Sequence, residues 1–248
     1  MLKRLLSDLF HPMPRKPGAP QPDAARRETS NPLEKYFYAN KGRLIHKWVH
    51  YFEIYDRYFA PFRGRAPVVV EIGVSQGGSL QMWHDYFGPG TRIVGIDIDP
   101  RCKRFEDEST TIMIGSQSDR NFLAEVRRKV PHIDILIDDG GHRMDEQIIT
   151  FEELYPHIQP RGVYLCEDIH TSFSGDWGGG YRREGTFHEY SKALTDHLYA
   201  WYSQEPERFA VGPMTLSTYA MHFYDSVFVV EKRPMTKPVV LMTGTPSF

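Results

Sequence analysis

The chain has 248 residues, enough for one sizeable α/β domain with its own core. A formal net charge of −2 gives no support for broad electrostatic binding to nucleic acid. The two cysteines, Cys102 and Cys166, make no disulfide framework and fit a reducing cytoplasm, and no apolar run approaches the length of a membrane span.

Residues 1–10 carry Leu2, Leu5, Leu6, Leu9 and Phe10 at helical spacing, with Lys3 and Arg4 on the other side. Such a segment suits peripheral contact with the inner membrane, docking on a partner, or simple fraying. Ser7 and Asp8 deny it the core of a signal peptide. Residues 11–30, rich in Pro, Ala and Arg, read as a flexible linker, which leaves residues 31–248 as the folded domain. Its first part is a helical cap: Ile45, Val49, Phe52, Tyr55 and Phe59 predict one or two helices across residues 33–62.

Strands and helices then alternate. Short apolar runs predict strands at 68–73, 92–97, 133–137 and 163–166, with a weaker one at 111–114. Helices are expected over 79–87, 119–130 and 144–154, with Asp119 or Ser118 capping the second. This rhythm calls for an α/β, Rossmann-like, doubly wound and mostly parallel sheet. Phe187, Tyr190, Leu194, Leu198 and Trp201 predict a further helix. Residues 216–224 and 227–231, joined at Asp225-Ser226, lie too close to enclose a crossover and form an antiparallel hairpin. A seven-stranded sheet with an antiparallel C-terminal strand is the arrangement of class I methyltransferases.

Two of the apolar runs end in acid: Ile137-Asp138-Asp139-Gly140-Gly141-His142 and Cys166-Glu167-Asp168-Ile169-His170. Carboxyl ends of strands are where doubly wound sheets bind ligands, and carboxylates at this density call for a divalent cation. The first strand runs into Glu71-Ile72-Gly73-Val74-Ser75-Gln76-Gly77-Gly78-Ser79. Ser75 stands where a dinucleotide fingerprint has its second glycine, and Glu71 suits a cationic ligand better than a pyrophosphate. Asp97, followed by Ile98, is placed to take two ribose hydroxyls, and Gln117 with Ser118 supplies an adenine-side loop. Together these features favour S-adenosylmethionine over NAD. Asp138 is assigned to cofactor contact or to orienting its loop, because neighbouring side chains on a strand point apart.

The spaced motifs resemble the metal-dependent sugar O-methyltransferases of antibiotic tailoring, which methylate deoxysugars of macrolides and rhamnosylated polyketides. They also resemble the cephalosporin hydroxylases, and the likeness runs from about Lys41 to Glu231. The resemblance implies Asp139, Glu167 and Asp168 as Mg²⁺ ligands and His142 as general base; Gly141 departs from it, since serine is common there. The chemistry agrees. A hard cation lowers the pKa of an acceptor hydroxyl and aligns it with the sulfonium methyl, and a histidine near neutrality takes the proton.

After Asp168, the Gly-rich stretch with His170, Trp177 and Tyr181 reads as a mobile lid that stacks on a sugar or aglycone. Tyr36, Lys41, His46 and His50 lie on the entry segment, which in the resembling enzymes helps cover cofactor and acceptor. The expectation is methyl transfer to a sugar hydroxyl of a glycoside, nucleotide sugar or surface polysaccharide. That makes the partner a small-molecule or glycan acceptor and not a nucleic acid, with a homo-oligomer left open. Two alternatives stand beside it. A hydroxylase-like tailoring enzyme would need two histidines and one carboxylate around iron, a triad that is not evident. A non-catalytic S-adenosylmethionine-binding scaffold would have no need of the intact acids.

Overall fold

The computed structural model describes residues 29–248, so the amphipathic segment at 1–10 and nearly all of the expected linker lie outside the described residues. The short apolar runs form strands β1 (Val68–Ile72), β2 (Arg92–Asp97), β3 (Thr110–Ile114), β4 (Ile133–Asp138) and β5 (Ile158–Cys166). Near the carboxyl end come β6 (Thr218–Phe223) and β7 (Phe228–Lys232). All seven make one sheet in the order β3-β2-β1-β4-β5-β7-β6. The first five pair in parallel, and β7 alone runs against its neighbours β5 and β6.

The parallel strands are apolar on both faces because helices cover both. Val69, Ile135, Ile137 and Val163 face a core shared with Tyr55, Phe59 and Trp83. Val70, Ile72, Leu136 and Tyr164 point the other way, against Phe151, Leu123 and Phe187. The first layer holds α1 (Pro32–Ala39), α2 (Tyr51–Phe59) and α3 (Gly78–Phe87), and the second holds α4 (Arg120–Lys129), α5 (Met144–Leu154) and α6 (Phe187–Leu194). Caps set the helix starts. Asn31 accepts from the amides of Leu33 and Glu34, and Asp119 from those of Asn121 and Phe122.

Three expectations shift. Residues 33–62 hold two helices, but an irregular connection at 40–50 separates them, and it carries a residue of the site. The stripe from Phe187 is α-helical only to Leu194 and then tightens to a 3₁₀ helix over Thr195–Tyr202; just before and at the change, the Ser191 and Thr195 hydroxyls donate to the carbonyls of His188 and Lys192. The expected strand at 216–224 begins later, because Pro213 starts a short helix, α7 (Pro213–Ser217), and the strand follows from Thr218.

Strand register is what builds the site. Ile72 pairs with both Ile96 and Asp138, and Asp138 pairs with Cys166. One residue further along, Asp97, Gly73, Asp139 and Glu167 therefore stand in a row across the carboxyl edge of the sheet. Backbone bonds lock that row: Gly73 N–H to Ile96 O, Asp139 N–H to Ile72 O and Glu167 N–H to Asp138 O, each 2.9 Å.

Candidate active site

The glycine turn after β1 is shaped by close approach. Gly73 has φ +95°, and a Cβ there would lie 1.9 Å from the Asp139 carbonyl oxygen, so no other residue fits without moving the backbone. Gly77 is left-handed and precedes α3, and Ser75 also has a positive φ of 48°. Asp97 holds this turn. Its Oδ2 accepts from the amides of Val74 (3.0 Å) and Ser75 (2.9 Å), and its Oδ1 from Asp99 (2.8 Å). A carboxylate has about four acceptor sites, so Asp97 keeps capacity for a ligand hydroxyl. Ile98, next to it, is 62% exposed and offers an apolar face at the rim.

Several residues expected to touch a cofactor act from beneath instead. Glu71 is fully buried, and its two oxygens accept from Ser79 Oγ (2.8 Å) and Trp83 Nε1 (2.9 Å), leaving Ser79 buried with it. Burial pushes the Glu71 carboxyl up to about 7, against the nearby Lys47 charge and the two donors. Asp138 is likewise buried, bonded by Gln117 Nε2 (2.9 Å) and Tyr164 OH (3.3 Å), and burial raises it to about 7. Gln117 in turn accepts from the Gly141 amide at 2.8 Å, so Asp138 orients the loop that carries His142. Ser118 bonds Ser116 in the loop above.

At the ends of β4 and β5 the acids converge. Asp139 Oδ1 and Asp168 Oδ2 lie 3.8 and 3.6 Å from His142 Nε2. Asp139, His142 and Asp168 each offer a ligand atom, and those atoms all lie within 4.8 Å of one another. Glu167, also expected as a ligand, is not in that group and is joined to Asp139 through a shared lysine. His142 and Asp168 both adopt left-handed backbone conformations (φ 56° and 52°), a cost concentrated here and typical of functional positions. Thr171 ties their loops, donating its hydroxyl to the carbonyls of Asp168 (2.8 Å) and His142 (2.9 Å). His142 Nδ1 is buried and finds no hydrogen-bond partner among the described residues, so Nε2 is the nitrogen turned to the acids.

Three residues that sequence reasoning missed complete the cluster. Lys47 Nζ sits 2.5 Å from Asp139 Oδ2 and 2.7 and 2.9 Å from the Glu167 oxygens, with its side chain 3% exposed. Tyr55 donates to Glu167 Oε1 and Tyr51 to Asp168 Oδ1, each at 2.6 Å. Burial and the Asp139 charge hold Glu167 well above the usual carboxylate range; burial alone would lower Lys47, but the charges of Asp139 and Glu167 raise it above the usual lysine range. Of the entry residues singled out in advance, His50 meets the Asp225 carbonyl and Tyr36 packs on the core, while Lys41 and His46 are exposed.

The expected lid is a compact turn. It contains 3₁₀ helices at Ile169–Phe173 and Gly175–Trp177, and the amides of Gly179 and Gly180 bond back to Ser174 O and Ser172 O at 2.8 Å. Its glycines serve that folding: a Cβ on Gly179 would fall 2.4 Å from Thr171 O. Trp177 sets its ring edge-on to His142, with centroids 5.8 Å apart. His170 bonds Ser226 and faces Trp48, and Tyr181 is 78% exposed beneath the Arg182 guanidinium.

Both expected groups suit these residues. The glycine cradle, Asp97 and Ile98 make a rim for a nucleoside, and two carboxylates gathered around an ammonium, Asp139 and Glu167, with Asp168 beside His142, are a hard-oxygen set for a divalent cation. Strand order and glycine turn are those of the class I methyltransferase fold, and residues 70–169 match a family described as a methyltransferase domain.

Within that class the likeness is to sugar O-methyltransferases. The chain is 35% identical over 199 residues to the 8-demethyl-8-alpha-L-rhamnosyl tetracenomycin-C 2'-O-methyltransferase of Streptomyces olivaceus, over 75% of this chain and 52% of the relative. It is 31% identical over 219 residues to the mycinamicin VI 2''-O-methyltransferase of Micromonospora griseorubida, over 84% of this chain and 53% of the relative. The solved MycE methyltransferase of the mycinamycin pathway, in complex with Mg and SAH, matches with a TM-score of 0.73 and 30% identity, over 82% of this chain and 54% of that one. The chain thus spans about half the length of these relatives.

Proposed function

We propose that this chain is a divalent-cation-dependent O-methyltransferase that moves the methyl group of S-adenosylmethionine to a sugar hydroxyl. The observation that carries it is the convergence of Asp139, Asp168 and His142 beside the Gly73 turn, with Glu167 joined to Asp139 through Lys47, at the carboxyl edge that the strand register sets. Bound S-adenosylmethionine supplies an electrophilic methyl, and Mg²⁺ held by Asp139, Glu167 and Asp168 supplies Lewis acidity at the acceptor oxygen. This is in keeping with the Mg and SAH in the solved relative and with the rhamnosyl tetracenomycin-C and mycinamicin VI named for the curated ones.

The chain's own residues divide the remaining work. The turn from Gly73 to Gly77 brings backbone close to the cofactor, while Asp97 and Ile98 receive its ribose and base with the loop at Ser118. His142 Nε2 takes the proton of the acceptor hydroxyl, and the Trp177 edge keeps the imidazole turned toward the acids. His170 and Tyr181 stand on the open side for the acceptor, a glycoside, nucleotide sugar or polysaccharide. No described helix is long and apolar enough to cross a membrane; a cytoplasmic setting, peripheral contact through residues 1–10 and a homo-oligomer belong to this proposal.

The test is transfer of labelled methyl from S-adenosylmethionine to a panel of rhamnosides and other deoxysugar glycosides. Transfer that stops with EDTA and returns with Mg²⁺ is expected. Transfer indifferent to EDTA overturns the metal's part, and failure to bind S-adenosylmethionine in calorimetry overturns the whole reading.

A further inference from the structure

Lys47 has no part in the reaction just described, yet it is the most deeply committed cation of the site. Its ammonium occupies Asp139 Oδ2 and both oxygens of Glu167. Asp139 Oδ1 and Asp168 Oδ2 are turned toward His142, and Asp168 Oδ1 accepts from Tyr51. An ion seated among all three carboxylates needs the oxygens that Lys47 now holds, and two cations cannot share them at contact distance.

The placement of Lys47 makes its withdrawal feasible. It rises from the irregular connection at 40–50 and not from a helix or strand. The first part of that connection is anchored independently: Asn40 Nδ2 donates to the Arg43 carbonyl (2.9 Å), and the Arg43 amide to Gln81 Oε1 (3.0 Å). Beyond Ile45, Trp48 is 55% exposed and Val49 is exposed as well, so the chain around Lys47 borders solvent. Lysine itself is a point charge on a flexible stem, which suits exchange better than the fixed fork of arginine.

We propose that Lys47 is a built-in counter-cation that exchanges with the divalent ion. In the metal-free chain it neutralises the half-buried Asp139 and the buried Glu167, whose charge the Tyr55 hydroxyl alone would not balance. When the ion binds, Lys47 leaves them, and residues 45–49 shift with it. Trp48, whose ring meets that of His170 at 6.2 Å on the open side of the acids, moves in the same step. Metal loading is thereby coupled to the segment that borders the acceptor side. The inference rests on the metal reading of the proposed function.

Its test titrates Mg²⁺ alone into the full chain by calorimetry, comparing wild type with Lys47→Met, and follows amide exchange of wild type with and without Mg²⁺. A tethered ammonium competes at high effective concentration, so Lys47→Met should bind Mg²⁺ tighter by roughly tenfold or more. In the wild type, Mg²⁺ should speed exchange at residues 45–49. Mg²⁺ binding by wild type with no change in exchange at 45–49 overturns the exchange of cations and leaves the metal reading standing. An unchanged or weaker affinity in folded Lys47→Met does the same. Absence of Mg²⁺ binding in both proteins overturns the metal reading and this inference together. The wild-type exchange measurement decides the matter even where Lys47→Met does not fold.

Discussion

The two halves of the sheet's carboxyl edge are built in opposite ways. At β1 and β2 the turn satisfies itself over short stretches of chain: Asp97 takes amides 22 and 23 residues away and Glu71 takes side chains 8 and 12 residues on. At β4 and β5 the charges are met from afar, by Lys47 at 92 and 120 residues, Tyr55 at 112 and Tyr51 at 117. The first half is a closed cradle whose shape follows from local backbone geometry. The second is a charged cluster with two strained residues, His142 and Asp168, and the charges of its acids are met from the helical cap. Shape on one side and charge on the other is the division expected of a site that grips a cofactor at one end and activates an oxygen at the other.

That division can be broken by substitution. Asp139→Ala removes the acid common to the Lys47 pair and the His142 pair, and methyl transfer should fall by about 10³-fold or more, with S-adenosylmethionine affinity within a few-fold of wild type. Labelled-methyl turnover and calorimetry measure both; loss of cofactor binding in step with turnover would show that the halves are not separate. His142→Ala should cost roughly 10²–10⁴-fold in turnover and leave the binding of cofactor and Mg²⁺ intact. Undiminished activity in that variant assigns the proton to another group.

Gly73 is the joint between the halves, and a smaller but structural effect is expected there. Gly73→Ala puts a methyl group 1.9 Å from the Asp139 carbonyl at φ +95°, and should lower stability by about 3 kcal/mol or more in urea unfolding. Glu71 should set part of the pH dependence of the cradle. Its folded carboxyl is raised to about 7 from an ordinary value near 4.5, so its stabilising contribution is complete below that ordinary value and is lost as the pH climbs through 7. The loss is at most about 3 kcal/mol. Urea midpoints across that window should fall less steeply in Glu71→Gln than in wild type; parallel curves would mean that Glu71 does not titrate there.

The same contrast explains what the sequence reveals and what it hides. The row of Asp97, Gly73, Asp139 and Glu167 was legible because each residue follows a short apolar strand, and parallel strands in one sheet end on one edge. Strand alternation allowed two readings of Asp138, cofactor contact or loop orientation, and its bond to Gln117, which holds the Gly141 amide, is in keeping with the second. Tyr55 entered the apolar stripe of the helical cap, a pattern that reports burial but says nothing of where a hydroxyl donates. Lys47 lay in no motif. Its signal was a cation inside Leu44-Ile45-His46-Lys47-Trp48-Val49, and its partner was far away in the chain. The glycines of the loop after Asp168 suggested a mobile lid, whereas Gly179 is needed for close backbone packing.

The most direct measurement is Mg²⁺ binding to the metal-free full chain by calorimetry, with wild type beside Asp168→Asn. Binding to wild type, weakened about tenfold or more in Asp168→Asn, is the expected result. No binding to wild type, or equal affinity in the two proteins, would contradict the assignment of the acids at β4 and β5 to one divalent ion.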